Sequence, residues 1–241
     1  MKKILFALVL AVQSLIGSAA VAAPCTTSTL AAYVGLGSAG CTIGSFRFSD
    51  FVLLPQIANS IPFSSINVSP LMPGPSLVGL NFALNARDGA GGTFLDNLIS
   101  YRVTGLGASI NGASLVMSGS STTGDGAVTV IENLCLNGLF GPDGVSGCTG
   151  TPRDLLVFDA AGLVQALDSI AFASAGALAV TTDIGVDGGT GGSAFLGSAS
   201  NLFSFAPAAV PEPGSLLLMA AGLFALFAYR GARPLRARLF R

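Results

Sequence analysis

The sequence predicts an all-β protein. It reads as a β-sandwich or jelly-roll-like body with one or two short helices, an N-terminal signal peptide and a single C-terminal transmembrane helix. Three observations carry this reading. Apolar residues alternate with small or polar ones in run after run through the middle of the chain. Clusters of Gly, Asn and Asp separate the runs, and both ends differ sharply in composition from the body. Period-2 alternation over 4–8 residues is the pattern of half-buried strands, and many short strands with regular turn signals indicate a sandwich or jelly roll.

The chain begins Met1-Lys2-Lys3, continues with an apolar run from Ile4 to Val12, and reaches small residues ending Ala20-Val21-Ala22-Ala23. Charge, apolar core and an A-x-A site are the parts of a secretory signal peptide, so residues 1–22 are expected to be cleaved. Cleavage after Ala22 also avoids leaving Pro24 at the new terminus.

Residues 23–205 form the expected body. A short helix is expected near Leu30 to Val34, with Thr29 as its N-cap. Strand alternation then appears around Phe46, Phe48 and Asp50, from Val78 to Leu84, from Ile99 to Val103, at Leu115 and Met117, and at Val128 and Val130. It continues at Leu155 to Phe158, at Ile170 and Phe172, from Leu178 to Ile184, and at Phe203 and Phe205. The prolines 55, 62, 70, 73 and 75 suggest that residues 55–76 are an extended loop or edge region. Residues 160–169 carry Ala160, Ala161, Leu163, Val164 and Leu167 at helical spacing and are a second helix candidate. Turns are expected at Asp88-Gly89-Ala90-Gly91-Gly92, Gly124-Asp125-Gly126, Pro142-Asp143-Gly144 and Asp187-Gly188-Gly189, where residues tolerant of positive φ cluster.

Four cysteines, Cys25, Cys41, Cys135 and Cys148, make an even count in an exported chain and read as disulfides. Three pairings exist; spacing favours the local one, Cys25–Cys41 with Cys135–Cys148. There is no C-x-x-C and no His, which argues against zinc.

Residues 206–213 form a Pro/Ala linker ending in Val210-Pro211-Glu212-Pro213. Residues 214–241 follow: an apolar run through Tyr229, then Arg230, Arg233, Arg236, Arg238 and Arg241 with no acid among them. At 1.5 Å per residue, Gly214 to Tyr229 spans about 24 Å as a helix, just short of the roughly 30 Å hydrocarbon core. The arginine cluster should stay cytoplasmic. Motif, short apolar helix and basic cluster, in that order, resemble the PEP-CTERM sorting signal of Gram-negative bacteria. The resemblance covers about 30 residues. It implies recognition by an exosortase that cuts near Pro-Glu-Pro, passage through the export channel and signal peptidase, transient inner-membrane anchoring, and delivery to the outer surface or extracellular matrix. It also implies an association with exopolysaccharide and biofilm. A tail that simply anchors the body to the inner membrane is the alternative.

Charge and chemistry narrow the function classes. The chain has no His, which removes Ser-His-Asp and Cys-His catalysis and any His base. Its body holds four arginines, Arg47, Arg87, Arg102 and Arg153, against eleven acids, a net charge of −7 with no lysine. Nucleic acid, which needs clustered bases, is not an expected partner. No cofactor is expected. Calcium is the one metal with candidate ligands, Asp88 and Asp96 around one Gly loop and Asp183 and Asp187 around another, although no complete calcium-loop motif is present. Gly35-Leu36-Gly37-Ser38-Ala39-Gly40 matches G-x-G-x-x-G but lacks the strand–helix context of a dinucleotide site. Glu132 is the only Glu of the body, and no spacing places a second carboxylate at glycosidase distance from it. The expectation is a non-enzymatic structural or adhesive surface protein. A carbohydrate- or calcium-binding module and a polysaccharide-active enzyme are the alternatives.

Overall fold

A computed structural model describes residues 22–54 and 59–206. The expected signal peptide apart from Ala22, the linker beyond Ala206, the sorting motif and residues 214–241 lie outside the described residues. Among the described residues no helix is long and apolar enough to cross a membrane.

The first elements are β1 (Ser28–Thr29) and α1 (Leu30–Val34). Thr29 caps the helix as expected, its Oγ1 accepting from Ala32 N at 3.3 Å. The helix buries Leu30 and Tyr33, and Tyr33 donates its hydroxyl to Thr26 O. The strands that follow are β2 (Cys41–Ile43), β3 (Phe46–Leu53), β4 (Asn67–Gly74), β5 (Leu77–Gly89), β6 (Leu95–Gly105), β7 (Ser109–Ser118) and β8 (Ser121–Thr123). The chain continues through β9 (Ala127–Leu136), β10 (Thr151–Ala160), β11 (Leu163–Gln165), β12 (Leu167–Ala175), β13 (Ala177–Asp187) and β14 (Ser193–Ala206).

These strands form two seven-stranded sheets. The first has the order β1-β4-β5-β14-β7-β12, with β8 also on β14; the second has the order β11-β10-β9-β13-β6-β3-β2. Every ladder is antiparallel. From β5 onward the chain keeps crossing between the sheets, so β5-β14-β7-β12 faces β10-β9-β13-β6. That is a jelly-roll order, with β4 and β3 extending one side.

Alternation puts one face of each strand into the space between the sheets. Val128, Val130, Leu134, Leu178, Val180 and Ile184 of the second sheet are buried there against Val78, Leu80, Phe82, Leu115, Ala199 and Phe203 of the first. Aromatic pairs cross the gap: Phe46 with Phe205 at 4.8 Å, Phe48 with Phe203 at 6.2 Å and Phe82 with Tyr101 at 6.0 Å between centroids.

Two sequence expectations need correction and a third is made more definite. Residues 160–169 are not a helix. Ala161 and Gly162 have φ of 52° and 77° and make a two-residue hairpin between β10 and β11, with Ala160 opposite Leu163. Two consecutive positive φ values match the twist of the flanking strands, and tertiary pairing overrides the helical spacing. Asp50 does not share the buried face of Phe46 and Phe48. It takes φ 55° at an irregularity between Ser49 and Val52, which returns Phe51 to the core, stacked on Tyr101 at 5.2 Å. Within 55–76, residues 67–74 form a full strand. β4 holds β5 on one side but only Ser28 and Thr29 on the other, so Pro70 and Pro73 occupy positions where a missing N–H is tolerated.

Both disulfides form with the local pairing, Cys25–Cys41 and Cys135–Cys148. The second closes the loop between β9 and β10. Thr181 Oγ1 donates to Gly144 O at 2.5 Å, which holds that loop against the outer face of the second sheet.

Candidate functional site

The outer face of the second sheet is set by the same alternation. Because Thr182, Ile184 and Asn97 point inward, Asp183, Gly185 and Asp96 point outward. Register places Gly185 between Thr129 and Asp96, and Asp183 between Ile131 and Leu98. These residues come from three strands far apart in sequence and meet only because β13 pairs with both β6 and β9.

Phe94, just before β6, lies against this surface. A Cβ on Gly185 would sit 3.0 Å from the ring's Cε2 and Cζ, so glycine is what lets the ring approach the sheet this closely. The ring remains 44% exposed. Phe94, Thr129, Ile131, Asp183 and Gly185 line a hollow of about 190 Å³.

Two carboxyls adjoin it. Burial, the neighbouring charge of Asp96 and a hydrogen bond to Asp96 together push the Asp183 carboxyl up to about 6. Asp183 therefore keeps its proton further into the mildly acidic range than an ordinary aspartate does. Asp96 N donates to Asn59 O, and Asp96 Oδ1 is buried with no hydrogen-bond partner. The arrangement offers an aromatic face, a hydroxyl, and a carboxyl pair able to accept and donate hydrogen bonds.

The four calcium candidates fall into two pairs. Asp96 and Asp183 form the pair just described. Asp88 and Asp187 lie at the adjoining loops, where Asp88 Oδ2 accepts from Gly188 N and Asp187 Oδ1 from Gly189 N, both at 2.8 Å. Thr190 is held elsewhere: its N and Oγ1 both donate to Asp125 Oδ2, and Gly191 N donates to Asp125 Oδ1. The Thr190 hydroxyl, followed by those backbone groups, holds the Asp125 carboxyl well below its usual range. Among the described residues no three carboxylates or thiols converge as a metal-ligating group.

Glu132 sits inside. It is fully buried on β9, opposite Thr182 of β13 and Leu155 of β10, and neither of its carboxyl oxygens has a hydrogen-bond partner. Burial pushes its carboxyl well above 4.5. Tyr101, Thr182 and Asn201 complete this buried polar cluster. Asn201 Nδ2 donates to Tyr101 Oη at 2.9 Å and to Thr182 Oγ1 at 2.5 Å. Burial, then the Glu132 charge, drives the Tyr101 hydroxyl well above its ordinary value.

Gly35 to Gly40 serves as the C-cap of α1 and the turn into β2, with Gly37 and Gly40 at positive φ.

Residues 209–233 match the PEP-CTERM protein-sorting motif. No curated protein matches the chain in sequence. Among solved structures, the chain is similar to TmCBM61 in complex with beta-1,4-galactotriose, with 15% identity and a TM-score of 0.30 over 66% of this chain and 88% of that one. It is similar to CBM86, a low-affinity xylan-binding module from Roseburia intestinalis, with 10% identity and a TM-score of 0.24 over 68% and 97%. A third similarity, with 9% identity and a TM-score of 0.24, is to the enzymatically active domain of bacteriophage CBA120 tailspike protein 4; it covers 66% of this chain and 19% of that one.

Proposed function

We propose, from the PEP-CTERM sorting motif at residues 209–233, that this chain is an exported, non-enzymatic surface or matrix protein. We further propose that it adheres to exopolysaccharide through the outer face of its second sheet. The motif implies exosortase processing, export and a surface or extracellular location.

The exposed Phe94 ring, laid on Gly185 beside the Asp96–Asp183 pair, supports the adhesive role. A pyranose ring presents C–H groups to an aromatic face and hydroxyls to flanking carboxyls. Phe94 meets the first requirement; Asp183, Asp96 and Thr129 meet the second. The body's net charge of −7 disfavours uronate or sulfated polymers, so the ligand class is a neutral glycan.

Burial also supports a binding role over hydrolysis: Glu132, the only Glu of the body, is shut inside the core, away from any polymer.

Fractionating cells that carry the chain with Pro211 and Glu212 both changed to Ala tests the sorting role. The changed chain should stay with the cell membrane, while the natural chain reaches the surface or medium. Equal release of both would refute exosortase-dependent sorting.

A further inference from the structure

The buried cluster between the sheets holds more than packing requires. Thr182 belongs to β13 of the second sheet and Asn201 to β14 of the first, and both side chains are 0% exposed. The Asn201 carboxamide nitrogen and the Thr182 hydroxyl oxygen lie 2.5 Å apart. Glu132, also 0% exposed, faces Thr182 directly across the β9–β13 ladder. Three oxygens here have no hydrogen-bond partner: Glu132 Oε1, Glu132 Oε2 and Asn201 Oδ1.

Orphaned buried oxygens are rare because each loses its hydration without compensation. A hydrocarbon core would avoid that cost, so three of them beside a hydroxyl and a carboxamide mark a place where chemistry can occur. No cation is hydrogen-bonded to either Glu132 oxygen, and a buried carboxyl without one keeps its proton; burial raises the Glu132 carboxyl accordingly. A protonated carboxyl is a hydrogen-bond donor, and the unpartnered acceptor in the same cluster is the Asn201 carbonyl oxygen.

We propose that Thr182 and Asn201 join through an ester bond that staples the two sheets, with Glu132 as the catalytic acid. Thr182 Oγ adds to Asn201 Cγ, and its proton passes to Nδ2. Glu132 gives its proton to Oδ1 as the tetrahedral centre forms. The Cγ–Nδ2 bond then breaks and ammonia leaves. As the carbonyl reforms, the proton on Oδ1 returns to Glu132. One hydroxyl and one carboxamide become one ester and one ammonia; Glu132 is regenerated and no oxidant or co-reactant is needed. Folding itself supplies the proximity, converting a slow bimolecular reaction into an intramolecular one. Tyr101 is a positioning residue, its Oη holding the carboxamide at 2.9 Å.

The bond would add something the disulfides do not. Cys25–Cys41 and Cys135–Cys148 close segments of 16 and 13 residues, whereas Thr182–Asn201 would tie the central strand of one sheet to the central strand of the other. A protein working outside the cell under shear and proteolysis gains from such a staple.

Intact-mass spectrometry of the purified, folded chain tests the proposal. With both disulfides formed, the mass should fall about 17 Da below that calculated from its observed termini, the loss of one ammonia. Chymotryptic mapping should join a peptide containing Thr182 to one containing Asn201, and hydroxylamine should separate them. Glu132→Gln keeps the side-chain size but removes the acid, and should restore the full mass, as should Thr182→Val. A folded, disulfide-bonded natural chain at full mass overturns the proposal, as does an ammonia loss mapped to any other residue pair. An undiminished loss in Glu132→Gln overturns the role of Glu132. Should that variant not fold, the map of the natural chain decides alone.

Discussion

Glu132 makes the sandwich lose stability as pH rises, and replacing it should remove that loss. Burial holds its folded-state carboxyl well above 4.5, while the unfolded chain releases the proton near that ordinary value. Above pH 4.5 the folded state therefore binds more protons than the unfolded state. Stability falls with rising pH until the folded carboxyl also ionises. One group contributes a slope of at most about 1.4 kcal/mol per pH unit, and only over the range in which it is protonated in the folded chain and ionised in the unfolded one. Asp183 acts in the same direction from 3.8 up to about 6, weakened by its partial exposure. Asp125 and Asp143 act oppositely: the hydroxyls of Thr190 and Ser146, with backbone N–H groups, hold their carboxyls down. Their stabilisation is present above 3.8 and is lost as pH falls below it. Urea unfolding of Thr182→Val and of Thr182→Val with Glu132→Gln, neither able to form the ester, across about pH 4.5 to about pH 7.5, isolates the one residue. The amide does not titrate, so the stability difference between the chains should shift with rising pH against the acid, with a slope of at most about 1.4 kcal/mol per pH unit. Parallel curves would show that Glu132 is ionised inside the fold, or not buried, and would refute the reasoning.

Three further outcomes follow from single residues. Ala161→Gly should stabilise the fold by about 1 kcal/mol in denaturant titration, because Ala161 sits at φ 52° in the β10–β11 hairpin. Gly185→Ala should lift the Phe94 ring, 3.0 Å from the new methyl position, and weaken glycan retardation in affinity electrophoresis several-fold while leaving the melting temperature within a few degrees. Asp168→Ala should increase self-association in size-exclusion chromatography. The Asp168 carboxylate accepts from Leu156 N of β10 and Ser169 N of β12, so its loss frees strand-edge donors beside the exposed Leu163, Val164 and Leu167.

The sequence made the sandwich legible wherever ordinary residues alternated: β5, β6, β9, β13 and β14 all follow their apolar spacing. Legibility failed where a non-glycine residue takes positive φ: Asp50 tolerates that conformation but stands inside an alternating run, and nothing in the Ala161 side chain announces it. β4 was legible only as loop or edge, because prolines normally argue against a strand and only its nearly open flank makes Pro70 and Pro73 acceptable. The disulfides were readable because they are local. The outer-face site was not. Nothing in the sequence singles out Phe94, and Gly185 is its platform only through a β6–β13 ladder that joins segments about 90 residues apart. The aspartates were visible as candidates, but only register divides them into the Asp88–Asp187 and Asp96–Asp183 pairs. Glu132 was noticed for its rarity, and its burial between the sheets is a tertiary fact.

The proposed role is that an exported sandwich holds neutral glycan at Phe94. Affinity electrophoresis of the protein recovered from culture, run through gels containing the host's own neutral exopolymer, tests it most directly. The natural chain should be retarded and Phe94→Ala should run as it does in a polymer-free gel, with both chains unfolding at the same temperature. Equal retardation of the two chains, or none for the natural chain in any extracted neutral polymer, would contradict it.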